Sequence, residues 1–229
     1  MHTVTGSNSH LLAGHSILVT AGPTWVEVDR VRVLTTIFTG ATGLAIARHL
    51  AECGAKVDLW MGPARVPITD ADRGSLSIID FRTYDDLAKL VKERQVDHYS
   101  AIVHSAAVAD YKPIPAKGKI ASGEGVLTLT LHPTEKLVDI LRERAPRAVL
   151  VKFKLEVGLT TEELLAVAER SRAHSRAEFI MANSFEGMSP DTHQAHLLDD
   201  AGGRADYTTK AGLCAGLAAA LARRLTPRP

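Results

Sequence analysis

From residue 16 onward, short apolar runs alternate with longer stretches in which apolar positions recur every three or four residues. Short runs bounded by turn formers are the pattern of buried strands; the longer period is that of helices with one buried face. Ser16–Ala21 reads as the first strand, stopped by Gly22-Pro23-Thr24, and a long polar loop follows. Gly40-Ala-Thr-Gly43 then opens a helix over Leu44–Glu52, closed by Gly54. Further strands are predicted at Lys56–Met61, Ser77–Phe81, Ala101–His104, Val126–Leu131, Ala148–Phe153 and Phe179–Ala182. Helices are predicted at Tyr84–Glu93, at Glu135–Arg144 after the entry His132-Pro133-Thr134, and from Thr160 to about Arg176. Thr160 stands as a cap with Glu162 and Glu163 in the first turn. His193–Leu198 and a short piece near Tyr207 read as a hairpin around Asp200-Ala-Gly-Gly203. The last helix carries Leu213, Leu217 and Leu221 on one stripe. Residues 111–125, with Lys, Pro and Gly and little periodicity, read as a mobile flap.

Strand then helix, repeated, predicts a mostly parallel sheet covered on both faces, an α/β Rossmann-like fold with a small flap and hairpin extension. Ligands in such sheets bind beyond the strand ends where the topology switches. The loops at 21–43, 105–120, 132–136, 153–158 and 182–188 are therefore the places to look for chemistry.

Composition narrows the function without naming it. The 229 residues are 45% apolar and 23% charged, enough apolar surface for a core and too little net charge for a disordered chain. Lys and Arg number 27 against 26 Asp and Glu, so the net charge of +1 argues against a general nucleic-acid binder. No apolar stretch is long enough to span a bilayer. Residues 1–15 are polar, carry His2, His10 and His15, and lack the pattern of a secretory signal; they read as a flexible tail before a single domain over 16–229. Cys53 and Cys214 are too isolated for a disulfide framework or a zinc site, and a cytoplasmic location is expected.

Taken singly, most motifs are weak. Gly40-Ala-Thr-Gly43 before a helix is an anion site or merely a tight turn. Thr39–Gly43 with Val103-His-Ser-Ala-Ala107 also suggests a short-chain dehydrogenase. That chemistry needs a Lys four residues after a Tyr. Tyr84, Tyr99, Tyr111 and Tyr207 are followed at that spacing by Ala88, Val103, Pro115 and Ala211. His193-Gln-Ala-His196 lacks the further ligands of a metal site and reads as a surface pair, and no residue is assigned to a metal. No Gly-x-Ser-x-Gly elbow is present.

The order of motifs says more. Val19-Thr-Ala-Gly-Pro-Thr24, Asp29-Arg-Val-Arg32, Thr39-Gly-Ala-Thr-Gly43, Ser105-Ala-Ala-Val-Ala-Asp-Tyr111, Gly118-Lys-Ile120, Phe153-Lys-Leu-Glu156 and Met181-Ala-Asn183 follow one another along the chain. This series resembles the phosphopantothenate–cysteine ligase (phosphopantothenoylcysteine synthetase) family of coenzyme A synthesis, over roughly residues 16–225. The resemblance implies activation of the 4′-phosphopantothenate carboxylate as an acyl-nucleotide, with CTP or ATP and Mg²⁺, followed by attack of the cysteine amine. It also implies a homodimer. The flavin-dependent decarboxylase to which such ligases are often fused is expected here, if at all, as a separate protein, so no flavin is expected.

By the same resemblance, Gly22, Gly40 and Gly43 approach the nucleotide, and Ala106, Ala107 and Asp110 form the turn against it. Lys119 sits on the flap over the triphosphate as a catalytic cation, Pro133 and Thr134 touch the nucleotide, and Phe153 and Asn183 complete its site. Two positions depart from the family. Thr36 stands where the family has an Asn serving the cysteine-coupling step, and is assigned that catalytic place. The family's two helix lysines are replaced by Ser171 and Ser175, with Arg172 and Arg176 one position on. That pair grips phosphate if the helix is rotated, or is a solvated basic face. These departures keep open a diverged homologue that binds nucleotide and a carboxylate without ligating cysteine.

Overall fold

The computed structural model describes residues 10–123, 125–188 and 192–226. The order of elements is β1 (Ser16–Ala21), β2 (Val26–Glu27), β3 (Val33–Leu34), α1 (Ala41–Glu52), β4 (Lys56–Met61), α2 (Asp70–Ser75), β5 (Ser77–Asp80), α3 (Tyr84–Glu93) and β6 (Ala101–His104). Then come β7 (Tyr111–Pro113), β8 (Leu131–Pro133), α4 (Leu137–Arg144), β9 (Val149–Glu156), α5 (Thr161–His174), β10 (Phe179–Met188), β11 (His193–Asp199), β12 (Arg204–Tyr207) and α6 (Lys210–Leu225).

The eight-stranded sheet runs β12-β11-β10-β9-β6-β1-β4-β5. From β5 to β10 every pairing is parallel, and β11 and β12 join antiparallel at the far side. Strand order reverses between β1 and β6, which opens a crevice beyond their carboxyl ends. Both faces of the sheet are covered, so the central strands are apolar through the core rather than alternating, and turn polar only towards their carboxyl ends. Ile17, Val19, Ala21, Val103 and Val151 pack under α1 and α6. Leu18, Ile102 and Leu150 face α3 and α4 on the other side, and α5 covers Ile180 and Ala182.

β1, β4, β6 and α3 occupy the spans that the apolar pattern predicts. The strand expected over Val126–Leu131 does not form; pairing begins only at Leu131, where β8 meets β7. Val126 is 95% exposed, so the alternating Thr pattern has no surface to pack on. The helix expected from Glu135 starts at Leu137, because His132 and Pro133 belong to the β7–β8 pair. The antiparallel β2–β3 arm and the α2 turn are further elements beyond the expected set. Residues 1–9 of the expected tail lie outside the described residues. Its remainder is anchored: Leu12 is fully buried in the main core, and its N–H donates to the Cys53 carbonyl at 2.8 Å.

Among the described residues, no helix is long and apolar enough to cross a membrane.

Candidate functional site

Beyond the carboxyl ends of β1, β6, β9 and β10 lies a cleft of about 590 Å³. One wall is the start of α1. Gly40 holds a left-handed backbone (φ 81°) and brings no capping side chain; Thr39 Oγ1 accepts only from the Ala41 N–H, at a long 3.4 Å. Gly43 packs so closely that an added Cβ would lie 2.4 Å from the Ala21 Cβ and 2.6 Å from the Ser105 Oγ. The first turn of α1 holds no acidic residue. Free N–H groups and the positive end of the helix dipole therefore face the cleft, an arrangement suited to an anion.

The facing wall is the loop after β6. It is stitched to the loop after β1: Ala107 N–H donates to the Gly22 carbonyl (2.9 Å), Thr24 N–H to the Ala107 carbonyl (3.2 Å), and Ala109 N–H to Thr24 Oγ1 (2.9 Å). Thr134 braces the loop from outside, its Oγ1 donating to the Ala109 carbonyl at 2.7 Å. Small side chains at Ala106 and Ala107 leave the backbone accessible to a ligand. Asp110 also lines the cleft, and its carboxylate accepts from Lys136 Nζ at 2.5 Å.

The floor is polar. His104 Nδ1 lies 2.8 Å from Thr20 Oγ1, and burial, then the Lys152 charge, bring the imidazole down to about 4, so it is neutral at pH 7. Lys152, 9% exposed, donates from Nζ to Ser175 Oγ (2.7 Å) and to the Ser171 carbonyl (3.1 Å). Burial pushes its ammonium below the usual lysine range, against the opposing pull of Asp139. At the β10 side, His193 is 4% exposed and its Nε2 meets Asn183 Oδ1 at 3.0 Å. Burial and Lys210 push this imidazole down as well. The Asn183 amide donates to the Met181 and Lys154 carbonyls, so His193 and two strands fix its orientation.

Residues 12–225 match the family described as DNA/pantothenate metabolism flavoprotein, C-terminal domain. The chain belongs to this family. The coenzyme A biosynthesis bifunctional protein CoaBC of Thermococcus kodakarensis is 31% identical over 189 residues, 82% of this chain and 45% of that protein. Its counterpart in Bacillus subtilis is 29% identical over 187 residues, 80% of this chain and 44% of the relative. The chain thus spans about half the length of the curated relatives it matches. The DNA/pantothenate metabolism flavoprotein of Streptococcus pneumoniae superposes with a TM-score of 0.80 at 29% identity, over 89% of this chain and 96% of that one. A Cab2 variant solved with phosphopantothenate-cysteine has a TM-score of 0.73 at 16% identity, a likeness of fold.

In this chain, Gly22, Thr36, Gly40, Gly43, Ala106, Ala107, Asp110, Phe153 and Asn183 come together around the cleft. The Thr36 Oγ1 is buried and has no hydrogen-bond partner among the described residues. Pro133 and Thr134 lie off the cleft; Pro133 pairs with Tyr111, and Thr134 supports the β6 loop as described.

The rotation that would bring Arg172 and Arg176 inward does not occur. Arg172 pairs with Glu169 and donates to the Ala177 carbonyl, and Arg176 is exposed in a left-handed conformation just past the helix. α5 instead presents Ser171, His174 and Ser175 to the cleft. Lys119 is exposed and away from the cleft wall. Its neighbour Ile120 is clipped to the β2–β3 arm, with its N–H donating to Asp29 Oδ2 at 2.9 Å. Burial pushes the Asp29 carboxyl up, but N–H donors from Ile120, Val31 and Arg32 and the Arg32 guanidinium outweigh it and hold it at about 2.

The surface histidine pair expected at His193 and His196 is divided between two faces. His193 is buried against Asn183, and His196 pairs with Asp206 at 2.7 Å on the other side of β11. Three residues along a strand place side chains on opposite faces, so the spacing itself carried this information. Lys152, His104 and His193 are the site residues that the motif series does not single out.

Proposed function

We propose that the chain is a phosphopantothenate–cysteine ligase. The uncapped, glycine-lined start of α1, facing the Ala106–Asp110 loop across one cleft, is the observation that carries this reading. In it, α1 receives the phosphates of CTP or ATP, with Mg²⁺ travelling on them. Among the described residues there is no cluster of three metal-ligating side chains, and a magnesium ion held mostly by phosphates and water needs none. The phosphopantothenate carboxylate attacks the α-phosphorus, a carboxyl oxygen–phosphorus bond forms, and pyrophosphate leaves. The cysteine amine then attacks the acyl carbon, gives up a proton, and displaces the nucleoside monophosphate.

The backbone beside Ala106 and Ala107 holds the nucleoside, and Asn183, fixed by His193, lines its far side. Lys119 enters from the flap to meet charge at the phosphates. The unpartnered Thr36 hydroxyl stands where the acyl-nucleotide meets the amine. A shorter stem and one hydroxyl replace the reach and two donors of an amide, so coupling is the slower half-reaction.

A homodimer fits the exposed apolar side chains of the β2–β3 arm and the β7–β8 region: Val31, Val33, Leu34 and Ile37 on the first, Ile114 and Leu131 on the second. Cytoplasmic location and a flavin-dependent decarboxylase that consumes the product belong to the same reading.

The deciding experiment measures pyrophosphate release with CTP and with ATP, with and without phosphopantothenate and cysteine. Release that requires phosphopantothenate, followed by formation of phosphopantothenoylcysteine, is expected. Release without coupling to cysteine favours the diverged homologue to which Thr36 points. No release with either nucleotide overturns the ligase reading.

A further inference from the structure

Thr20, His104 and Lys152 form a row across the sheet beneath the cleft. Thr20 is in register with His104 on the adjacent strand, and His104 with Lys152 on the next. All three share the face of Leu18, Ile102 and Leu150, two residues earlier on each strand. Such positions in a parallel sheet covered on both sides are ordinarily apolar. Lys152 spends two donors on Ser175 and the Ser171 carbonyl, and an ammonium has three. Among the described residues, it forms no ion pair with a carboxylate within 4.0 Å. Asp139 pulls on this charge from beyond ion-pair distance, so one donor of a buried ammonium is left unspent, which points to a ligand group that completes it.

Asp139, in the first turn of α4, lines the same cleft. Its Oδ1 is buried with no hydrogen-bond partner among the described residues, while Oδ2 lies 3.7 Å from His174 Nε2. The floor therefore offers a spare donor and a spare acceptor in one recess.

We infer that Lys152 and Asp139 read the edge of a nucleobase, Lys152 donating to a ring nitrogen or carbonyl oxygen and Asp139 Oδ1 accepting from an amino or imino N–H. This rests on the nucleotide-binding reading above and assigns base contacts to side chains on the sheet floor. A phosphate is the obvious competitor for a lysine. It would bring its own charge against the Asp139 carboxylate, in surroundings where like charges repel strongly. Phosphates also have their place at the start of α1, on a different wall. A base edge presents donors and acceptors side by side, so it satisfies both groups at once.

The test uses the full chain and its Lys152→Met and Asp139→Asn variants. Each is titrated with CTP, ATP, GTP and UTP in the presence of Mg²⁺, and with inorganic tripolyphosphate as the phosphate-only probe. The expected result is a loss of about tenfold in affinity for the preferred nucleotide in each variant, with a narrower spread among the four bases. Tripolyphosphate binding should change less than twofold. Ser175→Ala, which removes the hydroxyl holding Lys152, should narrow the spread in the same direction. It keeps the question open to measurement if a floor variant fails to fold.

A parallel loss of tripolyphosphate binding would make Lys152 a phosphate ligand and overturn the inference. So would an unchanged base preference in all three variants. If the unaltered chain binds nucleotide with a base preference yet releases no pyrophosphate, the ligase reading fails and the base-reading floor stands. If it binds no nucleotide, both fall.

Discussion

The helices begin in two ways. α2, α3 and α5 each open with a capping box, in which Thr69, Thr83 or Thr160 accepts from a backbone N–H and an acid three residues on returns the bond. α6 is capped by Thr209. α1 and α4 have no side-chain cap, and both starts line the cleft, behind Gly40 and Lys136. α2, α3 and α5, whose starts lie off the cleft, satisfy their own first turns, and α6 does so although Lys210 reaches the cleft; only α1 and α4 leave donors at the site for something else. The sheet shows the same division. Its strands are apolar through the core and turn polar at Thr20, His104 and Lys152, under the cleft. Stability is given up locally where a ligand can return it.

The largest test of this contrast is acidification. His104 is held at about 4 in the folded chain, against about 6.5 for an ordinary histidine. The unfolded chain takes up this proton first, so stability is complete above pH ~6.5 and falls as the pH drops towards 4, by ~3 kcal/mol in all. Urea midpoints across this range should show the loss, and His104→Gln should flatten it. An equal slope in that variant would mean that other groups carry the acid sensitivity. The Asp29 clip adds a second limb, intact above pH ~4 and lost as the pH falls through about 2.

Next in size is Gly43→Ala. The new methyl must displace Ala21, Ser105 or the helix itself, at a cost of about 1–3 kcal/mol. Because the helix start moves, the rise in melting temperature on adding CTP or ATP should also shrink. A variant with wild-type melting and an intact nucleotide response would remove the close approach from the explanation.

Thr160→Ala should cost about 1 kcal/mol, the usual value of a lost cap, and leave the nucleotide response untouched. An altered response would break the division between capped helices and open ones.

The smallest effect is expected for Lys136→Met. Its pair with Asp110 is more than half exposed on both sides, so stability should change by less than about 1 kcal/mol. Any larger change belongs to ligand binding, and calorimetry with and without nucleotide separates the two.

Much of this was written locally in the chain. β1, β4 and β6 carry short apolar runs, Ile17–Val19, Leu59–Met61 and Ala101–Val103, because both sheet faces are buried there, and such runs mark the strands. The glycine turn at Gly40–Gly43 and the loop at Ser105–Asp110 are also local, and they meet as the motif order implies. Val126–Leu131 has the alternation of a strand, yet only its last residue pairs, because alternation says nothing about whether a neighbour exists. Arg172 and Arg176 keep a helical spacing, but the direction of the face depends on how α5 lies on β9 and β10. Lys152 and His104 are hidden for a related reason. Each is one polar residue in a strand, and only the register across three strands joins them to Thr20.

The two margins of the sheet are β5 and β12, each only four residues long. β5 ends on Asp80, and β12 carries Arg204 and Asp206, which bond each other along the strand. Short, charged margins are poor templates for a neighbouring strand. A second copy of the chain therefore gains little by extending the sheet, and lateral stacking into fibrils is discouraged at both borders. The homodimer proposed above would then form through the exposed apolar arms, where contact between copies would bear directly on the site.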